Sequence, residues 1–446
     1  MLESSPTMPG KRVTRREFIG AALGAAAISS AGAAQTTRPN VLFILADDLG
    51  YGDLSCYGRP EYKTPVLDNL AKQGMKFSDN YASAPVCTPT RTAYITGRYP
   101  HHLAVGLEEP LSDSNMQLGI PPEHPTIATL VKTAGYETAL IGKWHLGNLP
   151  EFGPNRHGFD EFFGINGSSA DYFTHKNNAG RFDLYENLEP SKDEGYLTDL
   201  FTDRAIRFIT RKRSNPFFLS LQYNAPHWPW DGPADKALDH DHRPMTDGGS
   251  LSTYAEMVKS MDTGIGRVLK ALAAAGLERN TLVIFTSDNG GERYSFNWPF
   301  SFQKLNLWEG GIRVPAIVRW PGVVPSGRTT SQVAITMDWT ATIVALAGAK
   351  PDPQYSLEGE DLMSVLKGDS THDRTLFWRL RTQNAARMGK WKYLREGANE
   401  HLFDLSVDPG EKAELRTKHP DVFENVRTQY KKWDAQMLPN PTPPRR

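Results

Sequence analysis

The chain has 446 residues, 39% apolar and 23% charged, with a formal net charge of −1. That is the composition of a globular protein long enough for one large domain and a smaller one. The balanced charge gives no electrostatic footprint for nucleic acid, so no nucleic-acid partner is expected. The 32 Pro and 38 Gly point to many built loops.

The N-terminus reads as an address. Thr14-Arg15-Arg16-Glu17-Phe18-Ile19 resembles a twin-arginine export motif, an Ala/Gly-rich run covers 19–34, and Ala31-Gly32-Ala33 fits a cleavage site. A membrane anchor is the alternative, for which the run is short and rich in small residues. Residues 1–33 are therefore expected to be a signal peptide recognised by the twin-arginine machinery, and the protein to be periplasmic or secreted. Two cysteines, Cys56 and Cys87, could pair in an exported protein.

The continuous apolar run 41–46 predicts a strand buried on both faces, as in a parallel sheet, and it delivers Asp47-Asp48. Adjacent carboxylates repel unless a cation lies between them, a solvated loop pair being the alternative. Thr64-Pro65 predicts a helix start, as N-cap and first helical position. Pro89 also suits a first turn, which places Cys87 at a helix N-terminus with Arg91 one turn on. A Cys so placed would be reactive, unless it is an ordinary buried thiol. A helix is expected over 125–134. The strand 136–142 then leads into Lys143-Trp144-His145, where alternation would put Lys143 and His145 on the same side of an extended segment.

Residues 159–199 lack periodicity and read as long loops over the active face, with Ser168 among them. A helix over 197–212 leads to a strand over 217–223 that ends in Asn224-Ala225-Pro226-His227. An amphipathic helix is predicted over 254–275. The apolar strand 282–287 ends in Asp288-Asn289, and Lys304 precedes Trp308-Glu309-Gly310-Gly311. A strand over 316–320 and a helix over 337–346 follow. From about 370 the pattern changes to short strands at 376–380, 385–388, 391–394 and 401–405, bounded by Gly389 and Gly397, then a helix over 420–437. A Pro-rich tail, 439–446, is expected to be flexible.

Four predicted strands thus end in polar groups, at Asp47-Asp48, Lys143-x-His145, His227 and Asp288-Asn289. In an open parallel sheet such ends share one edge, outside which ligands bind. The oxygens of Asp47, Asp48, Asp288 and Asn289 suit Ca²⁺ or Mg²⁺, and no Cys/His cluster suggests zinc. With Arg91, Lys143, His145, His227 and Lys304 around a dication, the set fits a tetrahedral oxyanion ester.

Cys87-Thr88-Pro89-Thr90-Arg91 resembles the Cys-x-Pro-x-Arg signature of the type I, formylglycine-dependent sulfatases of the alkaline phosphatase superfamily. Thr90 departs from the usual Ser or Ala. The run 142–147 resembles the family's second signature, and Ala225-Pro226-His227-Trp228-Pro229 and 308–315, with Lys304 five residues before Glu309, resemble two more landmarks. The resemblance runs from Pro39 to about Glu411.

It implies an α/β fold: a large mixed, mostly parallel sheet sandwiched by helices over 38–369, and a small antiparallel-sheet subdomain with a closing helix over 370–438. It also implies that a maturation enzyme oxidises Cys87 to formylglycine, which rules out pairing with Cys56. Asp47, Asp48, Asp288, Asn289 and residue 87 would bind the cation. Arg91 and Lys143 would hold the formylglycine hydrate. Lys143, His145, His227 and Lys304 would contact sulfate or the leaving oxygen, with Ser168 a further sulfate contact. Asp288 would accept a proton in the attack, and His145 would assist release. The implied activity is hydrolysis of sulfate monoesters. Trp228, Trp230, Trp298 and Tyr172 would either stack on a sulfated sugar or serve as packing. The rival readings are a phosphomonoester or phosphonate-ester hydrolase on the same scaffold, and a non-catalytic glycan-binding relative.

Overall fold

Every residue of β1 (Asn40–Ala46) is buried, because both of its faces are apolar. Leu42, Ile44 and Ala46 enter one core, and Val41, Phe43 and Leu45 enter another. The strand therefore lies in the middle layer of a sandwich. The computed structural model describes residues 1–6, 38–235 and 244–440, and residues 1–6 carry no helix or strand. The expected signal peptide from residue 7 on, and the tail from 441 on, lie outside the described residues.

Further strands follow in chain order: β2 (Met75–Phe77), β3 (Asn80–Tyr81), β4 (Glu137–Gly142), β5 (Glu161–Gly164), β6 (Tyr185–Glu186) and β7 (Glu189–Pro190). Then come β8 (Phe217–Gln222), β9 (Thr281–Ser287), β10 (Ala316–Arg319), β11 (Arg328–Thr330) and β12 (Ala334–Ile335). Ten of these form one sheet in the order β11-β2-β10-β9-β1-β8-β4-β5-β6-β7, and β3 pairs with β12. From β9 to β5 the pairing is parallel, while β10 and β6 run antiparallel to it. The register levels the C-terminal ends of the central strands: Ala46 lies beside Ser287, Leu45 beside Gln222, and Gln222 beside Gly142. All four predicted strand ends therefore open onto one edge.

The helices are α1 (Pro65–Gln73), α2 (Cys87–Thr96), α3 (Ile127–Thr133), α4 (Leu197–Thr210), α5 (Leu251–Ala274), α6 (Glu309–Ile312), α7 (Thr336–Ala347), α8 (Met363–Leu366) and α9 (Pro420–Asp434). Helices α1, α4 and α5 cover one face of the sheet, and α2, α3 and α7 the other. Met257, Val258, Met261, Ile265, Val268 and Leu272 form the buried stripe of α5, each worth about 1.5–3 kcal/mol in buried surface. Gly264 lets α5 approach α4 closely, since a Cβ there would meet Thr202 Oγ1 at 2.4 Å.

The C-terminal strands β13 (Thr375–Leu380), β14 (Gln383–Met388), β15 (Trp391–Glu396) and β16 (Asn399–Asp404) form an antiparallel meander. Gly389 and Gly397 sit at its turns with φ of 55° and 57°. Phe423, Val426, Tyr430 and Trp433 of α9 pack against it.

Two expectations are corrected. The stretch 159–199 is not loop throughout, since β5 extends the parallel sheet beside β4 and β6 and β7 add an edge ribbon. Strands of two to four residues are too short to show a period. After Gly142, with φ 114°, His145 takes φ 56°, so Lys143 and His145 do not share an extended segment.

Helix α1 is capped from α5. Asp262 accepts the Leu67 N–H at 2.8 Å and the Val66 N–H at 3.1 Å, satisfying two first-turn donors. Burial pushes its pKa up from 3.8 to about 6 against those donors. The folded state thus holds this proton more tightly than the unfolded chain. The resulting stabilisation is full below pH 3.8 and is lost as pH rises through about 6. Asp262→Asn keeps an acceptor but has no proton to lose. Its melting temperature relative to wild type should therefore climb between pH 4 and 6.5, as read by calorimetric scans. A difference that is flat with pH would contradict the assignment.

Candidate active site

Helix α2 begins at Cys87, with Val86 as N-cap in extended conformation. Pro89 falls in the first turn, as the sequence predicts. Thr90 fixes the entering chain: its hydroxyl accepts the Ala84 N–H at 3.0 Å and donates to the Ala84 carbonyl at 2.8 Å. A hydroxyl at this position accordingly has local work to do in this chain. Cys87 is 1% exposed and lines a cavity of about 430 Å³, together with His227 and Lys304.

One turn on, the buried Arg91 reaches all four strand ends. Its Nε and Nη2 donate to Asp288 Oδ2 at 3.2 and 2.9 Å, and Nη2 lies 3.6 Å from Asp47 Oδ1. Its Nη1 donates to Gln222 Oε1 at 2.6 Å and to the Lys143 carbonyl at 3.2 Å. Lys143 Nζ donates to Asp47 Oδ2 at 2.6 Å. Burial pushes the Asp47 carboxyl up, but Lys143, Arg91 and Lys304 together hold it well below the usual carboxylate range. Asp288 moves the other way, because burial and then the charge of Asp47 outweigh Arg91.

Beside this pair, Asp48 has φ 62°, a left-handed conformation that Asp tolerates better than most residues. Its Oδ1 accepts from Asn289 Nδ2 at 2.7 Å, and its Oδ2 accepts from Lys304 Nζ at 2.7 Å. Lys304 keeps its proton: burial disfavours the charge, but Asp48 more than restores it. His227 Nδ1 donates to the Trp228 carbonyl at 2.7 Å, and its Nε2 lies 3.6 Å from Asp48 Oδ2. Burial and Lys304 lower the His227 pKa to about 3, so the ring is neutral.

The donor set fits a hard cation. Asp47 Oδ1 and Asn289 Oδ1 are buried and have no hydrogen-bond partner, which is costly unless something else takes their lone pairs. Ligand atoms of Asp47, Asp48 and His227 lie within 4.8 Å of one another. Asp288 Oδ1 accepts the Asp48 N–H at 3.1 Å, and its Oδ2 accepts from Arg91.

His145 turns toward the segment near residue 111. Its Nε2 donates to the Leu111 carbonyl at 2.9 Å and lies 3.3 Å from Thr88 Oγ1, leaving Nδ1 unpartnered. Burial and Lys143 lower its pKa to about 3. Ser168 lines the cavity, with its N–H and hydroxyl both donated to Asp113. Cys87, His227, Lys304 and Ser168 thus face the cavity, while Arg91, Lys143, Asp47, Asp288 and Asn289 are fully buried.

Among the aromatics, Tyr172 and Trp230 are 0% and 3% exposed and serve as packing. Tyr172 donates to the Asn224 and His227 carbonyls at 3.0 Å, holding the turn that carries His227. Trp228 lines the cavity, and Trp298 is exposed. Both cysteines are free, and Cys56 is half-buried with its thiol pushed up to about 12 by burial and Asp68.

Several residues escaped the sequence reading. Gln222 had a signal, being polar in an otherwise buried apolar strand. Gln383, Lys392 and Glu411 had none. Gln383 accepts the Leu307 N–H at 2.9 Å and donates to the Leu305 carbonyl at 3.0 Å, clamping the loop that carries Lys304. Just beyond that loop, buried Lys392 bridges Glu309 at 2.9 Å and Glu411 at 2.8 Å, and Glu411 also accepts the Glu309 N–H at 2.6 Å.

Comparison with known proteins agrees with this geometry. The family description Sulfatase matches residues 39–349, and that of N-sulphoglucosamine sulphohydrolase, C-terminal, matches 297–436. The chain is 32% identical to N-acetylgalactosamine-6-sulfatase of Canis lupus familiaris, covering 91% of this chain and 87% of that one. It is 33% identical to steryl-sulfatase of Mus musculus, covering 90% and 83%. The crystal structure of Ps i-CgsB in complex with k-i-k-neocarrahexaose superposes with a TM-score of 0.80 at 33% identity, covering 89% of this chain and 93% of that one. The chain belongs to the sulfatase family, and it is a sulfuric ester hydrolase.

The second matched stretch contains both sides of the Lys392 clamp. Removing that ammonium would leave Glu411 without a cation and Glu309 with Arg313 at 3.1 Å, and breaking a buried pair costs about 3–5 kcal/mol. Lys392→Met should lower the urea unfolding free energy by that order, with part of the loss recovered in Lys392→Met/Glu411→Gln. A single-variant loss under about 1 kcal/mol would show that the clamp does not carry load.

Proposed function

We propose that this sulfatase hydrolyses sulfate monoesters of a carbohydrate, using residue 87 as formylglycine and a divalent cation, Ca²⁺ or Mg²⁺. The observation that carries the reading is Cys87 at the first turn of α2, on the wall of a cavity with Lys304 and His227, backed by Asp47, Asp48, Asp288 and Asn289. Relatives support the carbohydrate: one is named for N-acetylgalactosamine 6-sulfate, and one structure holds a neocarrahexaose.

Formylglycine, as its hydrate, supplies a nucleophilic oxygen and a second hydroxyl through which sulfate can be expelled without water attacking sulfur. The cation supplies Lewis-acid stabilisation of oxygen charge. This chain's residues do the rest. Asp47, Asp48, Asp288 and Asn289 would hold the cation, and Arg91 and Lys143 fix the frame around residue 87. Lys304, which stays charged, donates to sulfate or to the leaving oxygen, and the Nε2 edge of His227 borders the same space. Asp288 accepts the proton released in the attack. His145 is neutral with Nδ1 free, and accepts the proton whose removal frees sulfate. Oxidation by a maturation enzyme before folded export through the twin-arginine route, and residence in the periplasm or outside the cell, complete the proposal.

Mass spectrometry of the tryptic peptide 77–91 should find residue 87 as formylglycine in protein that turns over 4-nitrophenyl sulfate faster than the phosphate ester. A plain thiol in fully active protein would refute the mechanism. Cys87→Ser, in a host that leaves the serine unmodified, retains a hydroxyl that can attack sulfur but lacks the second one. It should release about one equivalent of alcohol per site and then stall with sulfate on peptide 77–91. Steady turnover by this variant would refute that role for the second hydroxyl.

Losing an outer-shell partner typically costs a metal site about 10–100-fold in affinity. Asp47→Asn should cost at least as much in Ca²⁺ affinity, read by calorimetry, with kcat falling in parallel. Full activity of thoroughly chelated, metal-free wild type would refute the cation.

A further inference from the structure

We infer that the cavity selects a sugar ring carrying no second anion beside its sulfate ester, and that Asp113 imposes this choice by accepting ring hydroxyls. The inference rests on the reading of the cavity as the leaving-group pocket of a carbohydrate sulfatase.

The cavity has two chemically different ends. Cys87, His227 and Lys304 form one, where charge-assisted donors suit a sulfate. The other is built from Ser112, Asp113, Ser114, Ser168 and Asn178, with the half-buried indole of Trp228 alongside. Hydroxyls, an amide and an aromatic face are the usual partners of a polyol ring. Asp113 is the one acid among the cavity's described lining residues, and no described cation forms an ion pair with its carboxylate. Arg181 meets this residue at its main-chain carbonyl, at 2.7 Å.

This carboxylate is held in place. Oδ1 accepts the Ser168 N–H at 2.7 Å, and Oδ2 accepts the Ser168 hydroxyl at 3.0 Å. Gly167 permits the approach, since a Cβ there would stand 2.8 Å from Asp113 Oδ1 and 2.9 Å from Asp183 Oδ2. Asp183, buried behind the same glycine, accepts the Asn166 and Gly167 N–H groups at 3.1 and 2.9 Å. Two acids therefore brace one short segment of the wall. A fixed carboxylate with spare lone pairs accepts hydroxyl protons well. It repels a carboxylate or second sulfate brought to the same place, and the half-enclosed setting weakens screening.

The test uses full-length enzyme whose residue 87 has been verified as formylglycine. The probes are the monosulfated galactose isomer that wild type cleaves fastest, and the same sugar with a second sulfate on the neighbouring carbon. Sulfate release is followed by ion chromatography. Wild type should favour the monosulfated sugar in kcat/KM by about tenfold or more. Asp113→Asn, which keeps an acceptor for the Ser168 N–H, should bring that ratio to within about threefold of unity, chiefly through KM. Ser114→Asp adds a carboxylate at an exposed rim position and should raise the ratio. The charge of Asp113 beside His145 acts on both substrates alike and cancels in the ratio. A wild-type preference for the disulfated sugar, or a ratio that Asp113→Asn leaves unchanged, overturns the inference while leaving the carbohydrate reading intact. Failure to cleave any sulfated sugar, with aryl sulfate still turned over, overturns the carbohydrate reading and this inference with it.

Discussion

The interaction on which the site depends is the buried fork of Arg91. One guanidinium spans residues at the ends of β1, β4, β8 and β9, through Asp47, the Lys143 carbonyl, Gln222 and Asp288. Burying such a charge is costly unless nearly every donor is matched and the ion pair has good geometry. Here the strand ends supply the acceptors, and the parallel register makes them available at one level. Because Arg91 stands one turn beyond Cys87, anchoring it also fixes the helix N-terminus against the carboxylates. Lysine could not do the same, since a single ammonium lacks the planar fork that reaches several acceptors at once.

The loops above that edge are stitched from both sides. Asp53 accepts from the Gly50 and Phe296 N–H groups, the Tyr254 and Ser295 hydroxyls and Arg59, joining the turn after β1 to the loop after β9. From the other side, Gln383 of β14 and Lys392 of β15 hold the segment that carries Lys304 and Glu309. The C-terminal sheet therefore contributes no residue to the described cavity lining, yet it determines where Lys304 stands. A charged side chain on a long loop would otherwise spend conformational freedom to reach Asp48.

The parts of this arrangement visible in the sequence are those that depend on local pattern. The strands ending at Asp47 and Asp288 announce themselves as apolar runs, and Pro89 announces the first turn of α2. Gly389 and Gly397 marked the turns of the meander. What escaped depends on tertiary contact or on backbone that pattern does not encode. The reversal at His145 needs positive φ at Gly142 and at His145 itself, and alternation assumes neither. β5 is a strand because β4 offers it a partner, not because four residues have a preference. Tyr172 and Trp230 are as aromatic as Trp228 in the sequence, and burial alone separates packing from the cavity wall. The clamp joins Glu309 to Lys392, 83 residues apart, and nothing near either residue predicts the other.

The charge count explains why such a site suits an anionic ester. Asp47 and Asp48 face Arg91, Lys143 and Lys304, Glu292 stands 3.9 Å from Lys304, and burial with the charge of Asp47 pushes Asp288 toward its protonated form, while His145 and His227 are neutral. The protein's own acids therefore leave no surplus of negative charge over Arg91, Lys143 and Lys304. A bound dication would tip the cluster positive in a place from which water is largely excluded, where uncompensated charge is costly. The compensation must come from outside, and the cavity opens the cluster to it at Cys87, His227 and Lys304. A neutral ester or amide could not supply it, and a free carboxylate would lack the tetrahedral spread of oxygens. A sulfate monoester brings a single negative charge spread over oxygens, and these would suit Lys304 and such a dication. Binding of the ester and completion of the site's charge balance are, on this account, the same event.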